Sequence, residues 1–566
     1  MTGHVPPRTA LRKAILRAWP ALVLAMVACA PWLASPMFLD DWHLLWRASQ
    51  APWSWAGLRD GFTFLDPTSL SVWNLPPAPA YHYFRPLVVA SFKVDLALWG
   101  LAPFGFHAVN LALHLVTVVL VGQLSARISG DERLGRIAAV LFAVQPHNVA
   151  AVCWTAGRTT SMGAMWMVAA LLCYVAARQD RRRSVQAWTL VFTALACLTK
   201  ESAVLVGVLA AFWEVLERPG PLRTRWRGSL LALLPLAVLL AGFAVFRLLW
   251  FDSVGVLAEP YFTAPNSPGF PAFAMAKLVH YAAALLTMAP VVPIFGTGFL
   301  QAHPLVLGAV AMLVVLIAVG VHHAGRGQRG RWFGGFWMAA AFLPTLPILA
   351  SDLYPYFAGI GFALILAAAL ARPTRGRRIA LVVLVCFYLV GFTGRGLLYH
   401  VQGVIDRTAM EDIERDFDGP PPEGAHLILV NLPVAASHVT SHLRLRAGRG
   451  DIHATLATVT PEWTTPTAGP PVECISGDAI RIGPPPGHAA LFATPEEWHI
   501  HLFRIPLVEG RSYRTESGIT ATPRWMDGHV DALKLLFDES LDDGRIRVYS
   551  FYDAGDGPLV HRVCGP

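Results

Sequence analysis

The chain has 566 residues, of which 55% are hydrophobic and only 14% charged, with a mean hydropathy of +0.48. A soluble protein of this length would have to expose large apolar patches, so the composition excludes that class and indicates a polytopic membrane protein. The net charge of +8 lies largely in short clusters between apolar runs, which reports orientation across a bilayer rather than affinity for nucleic acid, and no RNA or DNA motif accompanies it.

In chain order, Arg8, Arg12 and Lys13 precede a first apolar run, 15–37, whose only charge is Arg17. It is too long for the apolar core of a signal peptide despite Ala28-Cys29-Ala30, so an uncleaved first helix is expected, delivering Asp40 and Asp41 to the far surface. Apolar runs of roughly 15 or more residues predict about eleven crossings, at 15–37, 104–125, 134–153, 160–177, 185–199, 201–216, 229–250, 304–322, 333–350, 354–371 and 378–395. With the N-terminus cytoplasmic, the basic clusters within 127–136, 178–183, 218–227, 326–331 and 372–378 all fall inside. That count requires 271–304, with its apolar stretch 275–288, to lie on or dip into the outer face, and Pro290 and Pro293 favour an interrupted segment.

The outer side then collects the polar residues. The segment 39–103 holds Trp53-Ser54-Trp55 and Tyr81-His82-Tyr83-Phe84-Arg85-Pro86, followed by an amphipathic stretch with Lys93 and Asp95. Shorter outer segments carry Gly157-Arg158, Thr199-Lys200-Glu201-Ser202, the loop 251–270 and Ser351-Asp352-Leu353-Tyr354. Most of the aromatics suit the headgroup level.

The transmembrane part is expected over 1–395, a linker with an interrupted helix (403–417) over 396–420, and a small β-rich soluble domain over 421–566. Runs such as His426-Leu427-Ile428-Leu429-Val430 and Arg545-Ile546-Arg547-Val548-Tyr549 read as strands, punctuated by Asp418-Gly419, Pro484-Pro485-Pro486-Gly487 and Asp542-Asp543-Gly544. An odd number of crossings puts this domain outside. Of the seven cysteines, Cys474 and Cys564 fall in it, and both a disulfide and two buried thiols fit. No cysteine spacing resembles a metal site.

An outward-facing site that handles a lipid-linked donor needs cations for a phosphate and a base for the acceptor. Asp40 or Asp41 suits the base, taking the proton of an acceptor hydroxyl as it attacks an anomeric carbon. Adjacent residues point in different directions, so one carboxylate is expected to face substrate while its neighbour holds the local fold. Arg85, Arg158 and Lys200 are the candidates to neutralise the departing phosphate, although an Arg at a helix end also serves as a headgroup contact. Glu201 stands beside Lys200 with hardly any connecting loop, and the two charges pair with each other or cap the turn. Asp352 and Tyr354 suit acceptor or donor sugar, or an ordinary interfacial pair. His147 and Asn148, after Pro146, are polar at membrane depth and must face protein or a cavity, as a structural hydrogen bond or in support of the site.

The series Phe38-Leu39-Asp40-Asp41, Phe84-Arg85-Pro86-Leu87, Phe104-Gly105-Phe106-His107-Ala108-Val109-Asn110, Leu141-Phe142-Ala143-Val144-Gln145-Pro146, Ala156-Gly157-Arg158, Leu198-Thr199-Lys200-Glu201 and Phe342-Leu343-Pro344 resembles the GT-C superfamily. Within it, the likeness is to the transmembrane O-mannosyltransferases that carry tetratricopeptide repeats and to their bacterial relatives, over about residues 15 to 371. The resemblance implies a GT-C fold and transfer of a sugar, with inversion, from a polyprenyl-phosphate donor to a protein, lipid or glycan acceptor on the outer face. It assigns the catalytic carboxylate to Asp40 or Asp41 and implies neither metal nor other cofactor. It also places the protein in membrane lipid, as an integral protein of a bacterial inner membrane with an extracytoplasmic C-terminal domain. The sequence departs from the family where His-Pro-x-His-x-Glu becomes Gln145-Pro146-His147-Asn148-Val149-Ala150, where a Glu-Arg-Tyr pattern becomes Asp352-Leu353-Tyr354, and in having a β-rich tail in place of the repeats. The alternatives are a ligase or polymerase of lipid-linked glycans, a transporter, and a non-catalytic membrane scaffold. A polymerase would call for Arg and His in the loop 251–270, which has neither, and a transporter for paired half-repeats.

Overall fold

The structure, a computed structural model, describes residues 7–64, 71–72, 81–217, 222–250, 263–286, 299–348, 350–417, 419–431, 436–457, 468–484, 508–515, 518–553 and 559–564. Most of the loop 251–270, the residues Pro290 and Pro293, and part of the Pro484–Gly487 turn lie outside them. In chain order the helices are α1 (Pro7–Cys29), α2 (Asp40–Gln50), α3 (Trp55–Asp60), α4 (Pro86–Trp99), α5 (Pro103–Ser129), α6 (Glu132–Ala143), α7 (Asn148–Val152), α8 (Arg158–Asp180), α9 (Arg183–Cys197), α10 (Leu205–Phe212), α11 (Leu222–Trp250), α12 (Phe270–Leu286), α13 (Pro304–Ala324), α14 (Arg331–Phe342), α15 (Tyr354–Leu370), α16 (Arg375–Asp416) and α17 (Ala436–Ala447). They and the strands group into two compact units, one of Met1–Ser35, Phe84–Val254 and Phe262–Tyr399, the other joining Pro36–Tyr83 to His400–Pro566.

The first unit is a polytopic helical membrane body. Among the described residues six segments of the chain are long and apolar enough to cross a bilayer: Ala14–Trp32, Pro103–Ser129, Thr155–Asp180, Arg225–Trp250, Pro304–Ala324 and Arg375–Asp416. Three shorter apolar helices, Ser184–Cys197, Phe270–Leu286 and Tyr354–Leu370, accompany them. Three of the predicted runs are broken, so the hydropathy count does not translate into one helix per run. In 134–153, α6 stops at Ala143 and the chain turns through Gln145-Pro146-His147 before the short α7, because Pro146 has no N–H to give the ladder. In 201–216 a 3₁₀ turn (Glu201–Val204) precedes α10 and a π turn (Trp213–Glu217) follows it. In 333–350, α14 gives way to a 3₁₀ turn at Leu343–Thr345, with Pro344 in it and Pro347 after it.

Lipid is as apolar as leucine, so the helices of such a body gain most from close approach, and small residues provide it. A Cβ on Gly135 of α6 would stand 2.5 Å from the Gly122 carbonyl oxygen of α5, and Gly334 and Gly361 bring α14 and α15 together in the same way. Around these contacts Val118, Val121, Leu134, Phe142, Val168 and Ala363 form one buried core.

The second unit gathers two five-stranded sheets, and its strand Ser71–Val72 comes from the segment 39–103. The strands are β1 (Thr63–Phe64), β2 (Ser71–Val72), β3 (Tyr81–His82), β4 (His426–Leu429), β5 (His453–Leu456), β6 (Val472–Ser476), β7 (Ala479–Ile482), β8 (Tyr513–Arg514), β9 (Ile519–Met526), β10 (His529–Phe537), β11 (Ile546–Phe551) and β12 (Val560–Cys564). One sheet is antiparallel throughout, in the order β6-β7-β10-β9-β8. The other, β12-β11-β4-β5-β2, pairs β11, β4, β5 and β2 in parallel, with α17 as the crossover between β4 and β5. The β-rich expectation therefore needs an α/β half added. The run His426 to Val430 reads as uninterrupted apolar because both faces are covered: Ile428 and Val430 pack toward the antiparallel sheet's core residues Ile480 and Leu533, while Leu427 and Leu429 pack with Val439 and Leu443 of α17. Cys474 of β6 and Cys564 of β12 form a disulfide, Cα to Cα 6.2 Å, so the two-thiol alternative falls.

The stretch read as a linker lies, up to Asp416, within the single helix α16, and no interruption appears over 403–416. Its last turns are tied to the parallel sheet. Asp412 accepts from the backbone N–H groups of Leu559 (2.7 Å) and Val560 (3.2 Å), and Asp416 from Arg547 and the Tyr549 hydroxyl, both at 2.8 Å.

Candidate functional site

Asp40 and Asp41 open a helix rather than close one. The α1 helix ends at Cys29, a 3₁₀ turn follows, and both aspartates occupy the first turn of α2, where a negative charge complements the helix dipole. The preceding residue, Leu39, is held at φ 51°, a conformation unfavourable for a branched side chain, and the surroundings over-determine it. Its N–H donates to Asp406 (3.0 Å), whose other oxygen accepts from Gln402 at 2.8 Å. Asp41 is fully buried and accepts from the Phe38 N–H at 3.2 Å. Asp40 turns the other way: its side chain is 40% exposed and its Oδ1 lies 3.4 Å from Nε2 of His438 on α17. Asp41 thus holds the turn, and Asp40 is the carboxylate presented outward. Trp53 and Trp55, farther along this segment, are exposed.

In the first unit, Arg85, Lys200 and Glu201 come together. The N-cap of α4 is Arg85, whose guanidinium reaches Glu201 at 3.2 Å, and the Leu87 N–H donates to the Leu198 carbonyl oxygen at 3.2 Å, fixing the two segments side by side. Lys200 donates to the Thr160 hydroxyl at 2.7 Å. Burial pulls its ammonium below the ordinary value, Arg85 pulls the same way, and Glu201 opposes them. A fourth charge acts on Glu201 from α11, that of Arg247. Among the described residues, Arg85 and Lys200 thus stand beside one carboxylate, Glu201, and the charge of Arg247 favours the ionised form of that carboxylate. Arg247 is the only charge in the apolar run 229–250.

Arg158 does not join that group. It is wholly buried and paired with Asp95, and it donates to Asn110 (2.8 Å), the Phe106 carbonyl oxygen (2.9 Å) and Ser91 (3.4 Å), with its guanidinium 4.8 Å from the Phe92 ring centroid. A guanidinium so occupied joins α4, α5 and α8, apart from the Arg85–Lys200–Glu201 group. His147 is also fully enclosed, its Nε2 2.5 Å from the Ala284 carbonyl oxygen, while Asn148 donates to the Phe142 carbonyl oxygen in the last turn of α6. Both serve the break in the helix.

Asp352 is bound by Arg395 (3.0 Å) and by the Tyr399 hydroxyl (3.1 Å), both from α16. Tyr354 stands 5.4 Å from the Lys277 ammonium, which itself donates to the carbonyl oxygens of Thr345 and Ile348. Neither Arg395 nor Lys277 was expected from sequence.

Over 137 residues, 23% of its length, the chain is 30% identical to protein O-mannosyl-transferase TMTC2 of Mus musculus; over 102 residues, 18% of the chain, it is 37% identical to TMTC1 of the same organism. A further match, to TMTC3 of Mus musculus, covers 155 residues at 31% identity. The chain resembles the protein O-mannosyl-transferases. These matches span 16%, 11% and 16% of the relatives' own lengths, so the likeness to the O-mannosyl-transferases concerns a small part of each. Among solved structures, ArnT from Cupriavidus metallidurans bound to undecaprenyl phosphate aligns at TM-score 0.45 and 14% identity, over 76% of this chain and 84% of that one. The oligosaccharyltransferase of Archaeoglobus fulgidus, in complex with zinc and sulfate, aligns at 0.43 and 13%, over 78% and 62%. No family model matches the chain.

Proposed function

We propose that this protein is a GT-C glycosyltransferase that moves a sugar from a polyprenyl-phosphate carrier to an acceptor hydroxyl at the outer membrane face, with inversion. The hydroxyl oxygen attacks the anomeric carbon, the bond from that carbon to the phosphate oxygen breaks, and polyprenyl phosphate departs with the electron pair. Asp40 takes the hydroxyl proton. A phosphate leaves without a general acid, so one carboxylate suffices. Arg85, Lys200 and Arg247 neutralise the phosphate, with Glu201 keeping the cations in place.

The observation that carries this reading is the meeting of Arg85, Lys200 and Glu201, from separate parts of the chain, at one partly enclosed place where cations can receive a phosphate. The similarity to O-mannosyl-transferases supports the reaction class and makes mannose the first sugar to try. The disulfide supports an extracytoplasmic second unit, because such bonds persist in oxidising compartments. Protein, lipid and glycan acceptors all fit this chemistry, and a bacterial inner membrane suits the carrier.

Membranes containing the full chain, supplied with polyprenyl-phosphate [³H]mannose, test the reading. Asp40→Asn should lower transfer by about 10²- to 10⁴-fold, the usual worth of a general base. Undiminished transfer by Asp40→Asn would remove Asp40 from the mechanism.

A further inference from the structure

We infer that His438, on the α17 crossover of the second unit, is a positioning residue for Asp40, so that the C-terminal part of the chain helps to build the site. This rests on Asp40 being the base proposed above. His438 is 7% exposed, and its Nε2 lies 3.4 Å from Asp40 Oδ1. Its Nδ1 has no hydrogen-bond partner among the described residues, and Nε2 is the ring nitrogen turned toward the carboxylate.

The contact is braced on both sides. One turn along α17, His442 packs edge-on to Trp42 of α2 at 4.4 Å between ring centroids and reaches Glu414 of α16 at 3.0 Å. The two histidines stand four residues apart on one helix face, and each has a carboxylate partner, Glu414 for His442 and Asp40 for His438. On the α2 side, Asp41 and the Asp406–Leu39 hydrogen bond fix the turn from which Asp40 projects. His43, also on α2, is buried nearby in sequence. An imidazole N–H on Oδ1 limits rotation of the carboxyl and directs Oδ2 toward the acceptor hydroxyl. In the transfer step the hydroxyl oxygen bonds to the anomeric carbon, polyprenyl phosphate leaves, and the hydroxyl proton goes to Asp40. His438 neither gains nor loses a proton.

The experiment compares wild type, Asp40→Asn, His438→Ala, His438→Gln and His442→Ala in the full chain, reading initial rates of [³H]mannose transfer against donor concentration and the unfolding temperature of the purified proteins. His438→Ala should lower kcat roughly 10- to 100-fold, as small misplacements of a catalytic group do, with the KM for donor unchanged. His438→Gln, whose amide N–H reaches the same oxygen, should recover most of that loss, and His442→Ala, which loosens only the brace, should lower kcat less than His438→Ala. The inference alone is overturned if Asp40→Asn abolishes transfer while His438→Ala leaves kcat intact. It is also overturned if Gln gives no recovery although both His438 variants unfold at the wild-type temperature. Full transfer by Asp40→Asn, or none by wild type, overturns the underlying reading and this inference with it.

Discussion

Arg158 and Lys200 show how similar cations acquire different work from their surroundings. The Arg158–Asp95 pair is enclosed by α4, α5 and α8, so removing one partner leaves a charge with no counter-ion. Arg158→Ala should destabilise the folded chain by roughly 3–5 kcal/mol, read as a lowered unfolding temperature in detergent, and Asp95→Leu added to it should restore part of the loss. Lys200→Met removes one cation from a group that retains Arg85 and Arg247, so it should raise the KM for a polyprenyl-phosphate donor about tenfold, the worth of one charge-assisted hydrogen bond, with little change in unfolding temperature. The charges were all visible in the sequence. What distinguishes the enclosed pair from the cations near Glu201 was not, because Asp95 and Arg158 are 63 positions apart and only packing reveals that they share an enclosure.

Among the elements, the second unit is fastened at several points that can be loosened separately. The disulfide closes a loop with a sequence separation of 90, for which loop-closure entropy gives about 4–5 kcal/mol, so a reductant should lower the unfolding temperature of this unit and leave that of a Cys474→Ala/Cys564→Ala variant unchanged. His426, at the start of β4, is buried with Nε2 2.8 Å from the Thr455 hydroxyl. Burial, aided by the charge of His453, pulls its imidazole down to about 4 from the ordinary 6.5. The unfolded chain therefore binds a proton that the folded one refuses. Stability is complete above about pH 6.5 and should fall as pH drops from there toward 4, and His426→Gln should flatten that part of a plot of unfolding temperature against pH. The strand periods at 426–430 and 545–549 were legible from apolar runs. The α/β half was not, since its crossover helix Ala436–Ala447 has no strong apolar stripe and its parallel partners come from three separate parts of the chain.

For the molecule as a whole, the basic clusters make orientation testable. Single cysteines introduced as Arg329→Cys and Arg511→Cys in a background lacking the chain's free thiols should differ in intact cells. A membrane-impermeant maleimide should label the second and spare the first, and labelling of both or of Arg329→Cys alone would reverse the assignment. Hydropathy, the clustering of Lys and Arg, and the short motifs around Asp40, Arg85, Lys200 and Asp352 are properties of neighbouring residues, and the sequence by itself determined the membrane class, the topology to expect and the candidate cations. The different surroundings of Asp40 and Asp41, and the approach of Arg395 to Asp352 and of His438 to Asp40, were decided only by tertiary structure. Residues such as Asp40 and His438 lie nearly 400 positions apart, and a contact of that range leaves no periodic or compositional trace in the stretches that make it.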